Sequence, residues 1–566
     1  VRDTTNAFNS PLAFDEQPPS AGESRASHRH GVAIKPLIQY RAMGAAPDSS
    51  DCLPSPRKSR SPLGMRLEIV LIALLALIAL GRGISDAPLI DWDEATYSQV
   101  VREAIARGNY LDFTWNGDAY LKKPPLLFWA MAASIKAFGE CELAARLPSV
   151  LFGTATVILM YFAAAPVAGR LAATIAAVIP FSFYFFVARG GRECATDAPL
   201  IFFSALAILA FDRSRRSRAW LSVAGLACGL ALLSKGLAGA IPFLVLGTAV
   251  AAVPAYRSLG VSSLLAVGGV ASAVAAPWYL FQILHHRDLF LSVFIGHETL
   301  ARVARHVGGT PRENSATLTT FFSEVGMLWP IVIPFALMVP RSVRGGLRSA
   351  LTGVHPTVAL WCIWLAIALA AAMAVQTKLP WYVLPSLIPT ALISGSVLGR
   401  ALSSFARAER YVFASGCAAL ALLAFQVPHR WRMIEASTQF QRERSTPAMN
   451  IAIRARSVAS ERSGGRLLFA GPQLPTLVYY SGMRCDWIQA PKPHGSEIDS
   501  DAQPPFEAAQ YDLVLIDQLG DALTVANLGD EWNLSGPGGL DRLRPTAARK
   551  AEVDDATPPL ENGGTE

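Results

Sequence analysis

The chain has 566 residues, 52 % of them hydrophobic and only 16 % charged, with a formal net charge of +7. Soluble proteins carry about 25 % charged residues and the mean hydropathy here is +0.33, which excludes a disordered chain, a collagen and a disulfide-stapled miniprotein and indicates a polytopic membrane protein. The basic surplus reads as arginines holding loops on one side of a membrane, not as nucleic-acid binding.

Residues 1–64 are rich in Pro, Ser, Arg and Asp without apolar periodicity, and read as a disordered or non-native extension. Met65 stands just before Arg66 and the first apolar run, and is an alternative start. Leu67–Leu80 lacks a small-residue cleavage site, so a retained anchor is expected. Apolar segments then recur at about 67–84, 146–165, 170–188, 196–212, 219–234, 237–254, 262–283, 317–339, 357–376, 380–399 and 410–427, eleven predicted spans. Each is close to the roughly 20 residues a bilayer requires. Basic clusters precede the first span (Arg57, Lys58, Arg60, Arg66) and follow the fourth (Arg213, Arg215, Arg216, Arg218), the eighth (Arg341, Arg344, Arg348) and the tenth (Arg400, Arg407, Arg410). If the spans alternate, all these loops share one side. The N-terminus is then cytoplasmic and the C-terminus outside.

The first long outer loop, about 85–145, holds two helix-like stretches. Ala95–Arg107 is amphipathic, with Tyr97, Val100, Val101, Ala104 and Ile105 on one face. Pro124–Phe138 is more apolar but too short to span. Both suit helices lying in the membrane interface. From about 428 the chain turns polar. Gly465–Ala470, Thr476–Tyr480 and Asp512–Asp517 read as strands between Gly/Pro turns, so a small outer α/β domain is expected over 428–545, followed by a disordered tail at 546–566. The membrane domain is 65–427. The seven cysteines show no metal spacing. Cys228, Cys362 and Cys417 sit in apolar runs as packing residues, and a disulfide between Cys141 and Cys194 is compatible with their shared outer side.

Asp91-Trp92-Asp93-Glu94 opens the first outer loop, where three carboxylates beside lipid are costly without a task. Asp91 or Asp93 could N-cap the following helix. Capping needs one acid, and the others fit a general base or a phosphate-metal site. Tyr120-Leu121-Lys122-Lys123-Pro124 follows, its lysines either snorkelling to headgroups or binding a phosphate leaving group. Arg189, Arg192, Glu193 and Asp197 cluster where the third and fourth spans meet outside. Asp197 either caps a helix or joins an acid–base network. Lys235, Lys378 and Tyr382 lie at outer span ends, and His297, Glu298, Arg302, Arg305 and His306 form another polar cluster. No HExxH pattern supports a metal role for the histidines, and no nucleotide-binding signature is present.

Asp93, Glu94 and Tyr97, then an amphipathic stretch ending at Gly108, then Tyr120-x-x-Lys123-Pro124 resemble bacterial members of the dolichyl-phosphate-mannose–protein mannosyltransferase superfamily, and among them the lipid A aminoarabinose transferases. Further matches are Arg192, Asp197 and Pro199 as R-x-x-x-x-D-x-P, Ser234–Gly236, Pro277–Tyr279, His297–Arg302 and Lys378–Tyr382. The resemblance covers roughly 65–400 and implies a mainly α, GT-C membrane fold. It implies transfer of a sugar, with inversion, from a polyprenyl-phosphate donor to an envelope acceptor (lipid A, protein or glycan) on the outer face of the inner membrane. By resemblance, Asp93, Glu94 and Asp197 are catalytic, with Asp93 activating the acceptor hydroxyl. Lys123, Arg302, Lys378 and Tyr382 bind the donor phosphate, and Tyr97, Tyr120, Lys122 and His297 are further candidates. No nucleotide is required, since the lipid-phosphate sugar is itself the activated donor, and a divalent metal stays open as a cofactor. In the aminoarabinose transferases an acid associated with a metal precedes the K-P lysine; here it is Lys122, which counts against a divalent metal there and against aminoarabinose as the sugar. The histidine also precedes Glu298, where relatives often read Glu-His. The expected partners are the donor, the acceptor and the bilayer, with no nucleic acid, and the chain is expected to be a monomer. The alternative from another class is a transporter or flippase for a lipid-linked sugar.

Overall fold

The computed structural model describes residues 62–305, 314–326, 328 and 355–405, together with 432–436, 439, 449, 452–453, 466–470, 475–488, 513–518 and 522–526. The predicted span at 410–427, most of that at 317–339, His306, the 1–61 part of the N-terminal extension and the tail lie outside these residues.

The fold is mainly helical. Helix α1 covers Pro62–Gly81 and α2 Asp93–Arg107; a short hairpin, β1 (Thr114–Trp115) with β2 (Asp118–Ala119), leads to α3 (Leu126–Phe138) and α4 (Glu142–Ala168). Next come α5 (Arg170–Val178), α6 (Tyr184–Val187), a π-turn at Ala188–Arg192, α7 (Asp197–Ser214), α8 (Trp220–Lys235), α9 (Ile241–Ala252) and α10 (Pro254–Arg257). Helix α11 (Gly260–Phe290) runs into a π-helical stretch, Leu291–Ala301, and α12 (Arg302–Ala304); α13 (Asn314–Val325), α14 (Pro356–Ala374) and α15 (Leu384–Phe405) follow.

Among the described residues five helical stretches are long and apolar enough to cross a membrane, or six if one bent pair is a single span. The chain is a multi-pass membrane protein. The bent pair corrects the straight span expected at 170–188: Arg170–Ser182 and Tyr184–Arg192 meet at 87°. Pro180 lies in the 3-10 turn at this corner and brings no backbone N–H to continue a helix. Trp220–Ala252 also folds back. Lys235 meets Asp197 at the start of α7, whereas Tyr256, just past α9, meets Asp212 near its end. Helices α8 and α9 therefore run in opposite directions, as two separate predicted spans require.

Small residues let the helices approach. On α15, Gly395 and Gly399 face the backbone of Ala176 and Ala172 on α5 so closely that a side chain has no room, the close packing that lipid-embedded helices use in place of a hydrophobic driving force. On α4, a Cβ at Gly153 would come within 2.9 Å of the Gly190 carbonyl. This approach seats the π-turn that carries Arg189.

The first outer loop has its own core. The α2 face predicted to be apolar buries Tyr97, Val100, Val101 and Ala104 against Phe113, Phe128 and Met131. That face therefore meets protein, not lipid as an interfacial helix would, because α3 supplies the matching apolar surface. Gly108 ends α2 in the left-handed conformation (φ 63°), its N–H on the Ala104 and Ile105 carbonyls.

In the C-terminal part, β3 (Arg466–Ala470), β4 (Arg484–Ile488), β5 (Leu513–Gln518) and β6 (Ala522–Ala526) form a sheet ordered β4-β3-β5-β6. Strand β3 pairs parallel to β4 and β5, and β5 antiparallel to β6. Thr476–Tyr480, expected as a strand, is a helix, α16 (Pro475–Ser481). Parallel neighbours require a crossover, and this segment provides it between β3 and β4. Its β-branched and aromatic side chains, which suggest a strand, are consumed by burial, Tyr479 packing into the α2–α3 core. The five described cysteines are all free, so Cys141 and Cys194 form no disulfide.

Candidate active site

The acidic run at the start of α2 divides its three carboxylates among three partners. Neither Asp91 nor Asp93 is the N-cap: Trp92 holds that position with no side-chain cap bond. Its backbone lies at φ 75°, ψ −108°, a region costly for a bulky residue, and its side chain is exposed. Asp91 accepts from the backbone N–H and hydroxyl of Thr476, at 2.9 and 2.7 Å, joining α16 to α2. Glu94 is buried. It accepts two bonds from Arg146, at 2.9 and 2.6 Å, and one each from the N–H groups of Ile90 and Cys194, both 3.0 Å. Arg146 also donates to the carbonyls of Ile84, Ala87 and Pro88. With four donors on its two oxygens, Glu94 is a structural clamp between the first loop and α4.

Asp93 faces the other way. It accepts from the Tyr97 hydroxyl at 2.9 Å and pairs with Arg189. Burial works against its charge, but Arg189 and Lys123 nearby, with the hydrogen bonds from Arg189 and Tyr97, bring its pKa down to about 2. Burial, followed by the charge of Asp93, pushes the Tyr97 phenol up. Arg189 is the hub. Its guanidinium also reaches Glu193 at 3.1 Å and Asp197 at 3.5 Å, and lies 4.3 Å from the centre of the Trp381 ring. Burial raises Glu193 to about 7, Arg189 offsetting it in part. Asp197, buried at the first turn of α7, takes Lys235 at 2.6 Å, and Lys235 sits over the Tyr382 ring, 5.6 Å from its centre.

Beside this chain lies a cavity of about 360 Å³. One end is polar, lined by Lys122, Lys123, Lys235, Arg302, Asp197 and Glu298: four cations against two carboxylates. The remaining wall is apolar, from residues such as Leu200, Ile241, Leu244 and Phe294. Glu298 holds two of the cations in place, Lys123 at 2.6 Å and Arg302 at 3.0 Å, and the Tyr382 phenol is a neighbour of Arg302. Buried Arg302 Nε has no hydrogen-bond partner, and Arg189 Nε and Asp197 Oδ2 meet only across the 3.5 Å ion pair. Polar groups buried without a hydrogen bond are rare in native proteins, and these lie in the charged groups beside the cavity.

The structure thus brings together Asp93, Tyr97, Lys122, Lys123, Asp197, Arg302 and Tyr382. Tyr120 packs on Phe128 in the loop core, with Asp93, Glu298 and Arg302 as its charged neighbours. His297 is exposed, its Nδ1 3.5 Å from Glu298. Lys378, expected to bind the donor phosphate, directs its buried ammonium to the Met373 and Val375 carbonyls at the end of α14 and is not in the cavity lining. Lys235, noted in the sequence at an outer span end, does line the cavity. Glu298 and Trp381 were also missed as site residues. The available signal lay in their motifs, since each adjoins a residue already singled out. A divalent ion does not fit here. Arg189 occupies Asp93, a lysine stands at 122, and among the described residues no three His, Cys, Asp or Glu side chains converge.

Comparison with known proteins places these features. The dolichyl-phosphate-mannose-protein mannosyltransferase family matches residues 122–281. The undecaprenyl phosphate-alpha-4-amino-4-deoxy-L-arabinose arabinosyl transferase of Pseudomonas savastanoi pv. phaseolicola is 28 % identical over 319 residues, 54 % of this chain and 56 % of that one. The protein of the same name from Pseudomonas paraeruginosa is 28 % identical over 344 residues, 59 % and 60 % of the two chains. The chain therefore matches less than two thirds of the length of these relatives. The crystal structure of ArnT from Cupriavidus metallidurans bound to undecaprenyl phosphate superposes with a TM-score of 0.58 at 19 % identity, covering 75 % of this chain and 86 % of that one. The resemblance read from the motifs is borne out, and the chain has the GT-C fold of these membrane proteins.

Proposed function

We propose that the chain is a membrane glycosyltransferase that moves a sugar from a polyprenyl-phosphate donor to a hydroxyl of an envelope acceptor, with inversion. The cavity carries this reading: a cationic end that suits a phosphate continues into an apolar wall that suits a polyprenyl chain, with an ionised carboxylate close by. Undecaprenyl phosphate is what the similar solved structure holds and what the similar transferases are named for.

The residues divide the work. Lys123, Lys235 and Arg302 stabilise the charge that grows on the lipid phosphate as the sugar–oxygen bond breaks. Glu298 holds Lys123 and Arg302 in position, and Asp197 holds Lys235 over the Tyr382 ring. Asp93 accepts the proton of the attacking hydroxyl. A carboxylate with a pKa of about 2 is a weak base, but the hydroxyl becomes strongly acidic once its oxygen begins to bond to the sugar carbon. Late proton transfer to a permanently ionised acid therefore fits an oxocarbenium-like transition state. Arg189 orients Asp93 and links it to Asp197. The wider arrangement belongs to the same proposal: eleven spans over 65–427, a cytoplasmic N-terminus, an outer α/β domain over 428–545, a monomer in the inner membrane.

The test is release of free polyprenyl phosphate from a panel of polyprenyl-phosphate sugars by purified protein with crude envelope acceptor. Wild type should release it, and Asp93→Asn should do so about 10²–10⁴-fold more slowly. Equal release by both would remove Asp93 as the base. Movement of intact donor across vesicles without release would replace the transferase with a transporter.

A further inference from the structure

We propose that the end of α7 remote from Asp197 binds the phosphate headgroup of an anionic membrane phospholipid between Arg213 and Arg216. Helix α7 runs from Asp197 to Ser214. At a rise of about 1.5 Å per residue its ends are some 26 Å apart, close to the thickness of a bilayer's hydrocarbon. The site is thus on the membrane face opposite the catalytic cluster and is independent of the reaction proposed above.

A second cavity, of about 160 Å³, opens at this end between α7 and the first turn of α14. Arg213, Arg216, His355 and Thr357 line it, with Phe162 and Leu209 behind them. The one carboxylate in its lining, Asp212, is already matched. Arg215 donates to it at 2.6 and 3.1 Å, the Thr357 hydroxyl at 3.0 Å, and the Tyr256 hydroxyl completes the set. Arg215 cancels its charge, leaving the charges of Arg213 and Arg216 uncompensated. Among the described residues neither guanidinium has an ion pair or hydrogen bond. Arg213 is steadied by the Trp220 ring, 5.0 Å from its centre. The Arg216 N–H bonds to the Arg213 carbonyl at 2.9 Å, which sets the two arginines one turn apart.

Guanidinium groups match the oxygens of a phosphate in geometry and charge. The surroundings select a lipid headgroup over a soluble anion. The cavity stands at the end of membrane-crossing helices, its rear wall is apolar, and a tryptophan of the kind found at the lipid–water boundary braces one arginine.

The test is native mass spectrometry of the full chain released from nanodiscs of equal parts phosphatidylcholine and phosphatidylglycerol. Wild type should retain phosphatidylglycerol above its share of the bilayer. Arg213→Gln with Arg216→Gln should lower that retention about tenfold or more, and Arg216→Gln alone, a change at an exposed side chain that leaves the fold intact, about fivefold. Turnover should stay near wild type in both. Equal retention by wild type and variants would overturn the site. Protection from thermal unfolding by inorganic phosphate in pure phosphatidylcholine discs, matching that by phosphatidylglycerol, would overturn the lipid as its occupant.

Discussion

Asp93 and Glu94 are neighbours in sequence, yet each belongs to a different kind of ionic region. Around Glu94 every donor has an acceptor: Arg146 spreads over its carboxylate and three carbonyls, and two backbone N–H groups complete the set. Around Asp93 the charges form a chain through Arg189 and Asp197 to Lys235, its central link a 3.5 Å ion pair without a hydrogen bond, and buried Arg302 Nε at the adjoining cavity has no hydrogen-bond partner. A saturated cluster holds a fold together, whereas an unsaturated one next to open space is ready for a ligand.

Arg146→Met tests the closed side of that contrast most severely. It strands Glu94 as an unpaired buried charge and should cost about 3–5 kcal/mol, read as a lower thermal midpoint in detergent. Asp93→Asn leaves Arg189 with Glu193 and Asp197, and its midpoint should fall by less. The reverse pattern would break the distinction. Two lysines sharpen the open side. Lys235→Met should slow turnover about 10²-fold, with buried Asp197 left to its 3.5 Å pair with Arg189. Lys378→Met should keep turnover near wild type while costing about 1–2 kcal/mol, because its bonds go to carbonyls at a helix end. A large loss of activity in Lys378→Met would return that residue to the site.

A smaller effect is expected at the link between α2 and the C-terminal part. Thr476→Val removes the 2.7 Å hydroxyl bond to Asp91 but keeps the backbone one, and should cost about 1 kcal/mol in thermal unfolding. The smallest effect is with pH, where two carboxylates on Arg189, Asp93 and Glu193, pull in opposite directions. Asp93 is lowered from 3.8 to about 2, so the stability it contributes is present above pH 4 and lost as pH falls through about 2. Glu193 is raised from 4.5 to about 7. The folded chain holds its proton more tightly, so that contribution is present below pH 4.5 and lost as pH rises through about 7. Glu193→Gln should therefore flatten the decline of the thermal midpoint between pH 4.5 and 7. An unchanged profile would show that Glu193 does not titrate there.

Several features were legible in the residues alone. Runs of apolar side chains near the bilayer length mark most spans, because the hydrocarbon demands that composition whatever the neighbours are. The face of α2 carrying Tyr97, Val100, Val101 and Ala104 follows from the helical period. The order of the polar motifs and their placement at span ends pointed to the fold shared with the similar transferase.

The division of labour among those polar residues was decided only by tertiary structure. Asp93 and Glu94 are adjacent carboxylates of similar chemistry. Which one is clamped depends on Arg146 and Arg189, 52 and 96 positions away. Lys235 ends α8 and Lys378 lies just past α14, and the direction of each ammonium depends on whether a carboxylate or a free carbonyl lies within reach. Thr476–Tyr480 has the composition of a strand, but the parallel pairing of its flanking strands makes it the crossover between them. Local composition sets how much of a segment must leave water. Which partner meets a charge is set by long-range packing, and function in this chain depends on those partners.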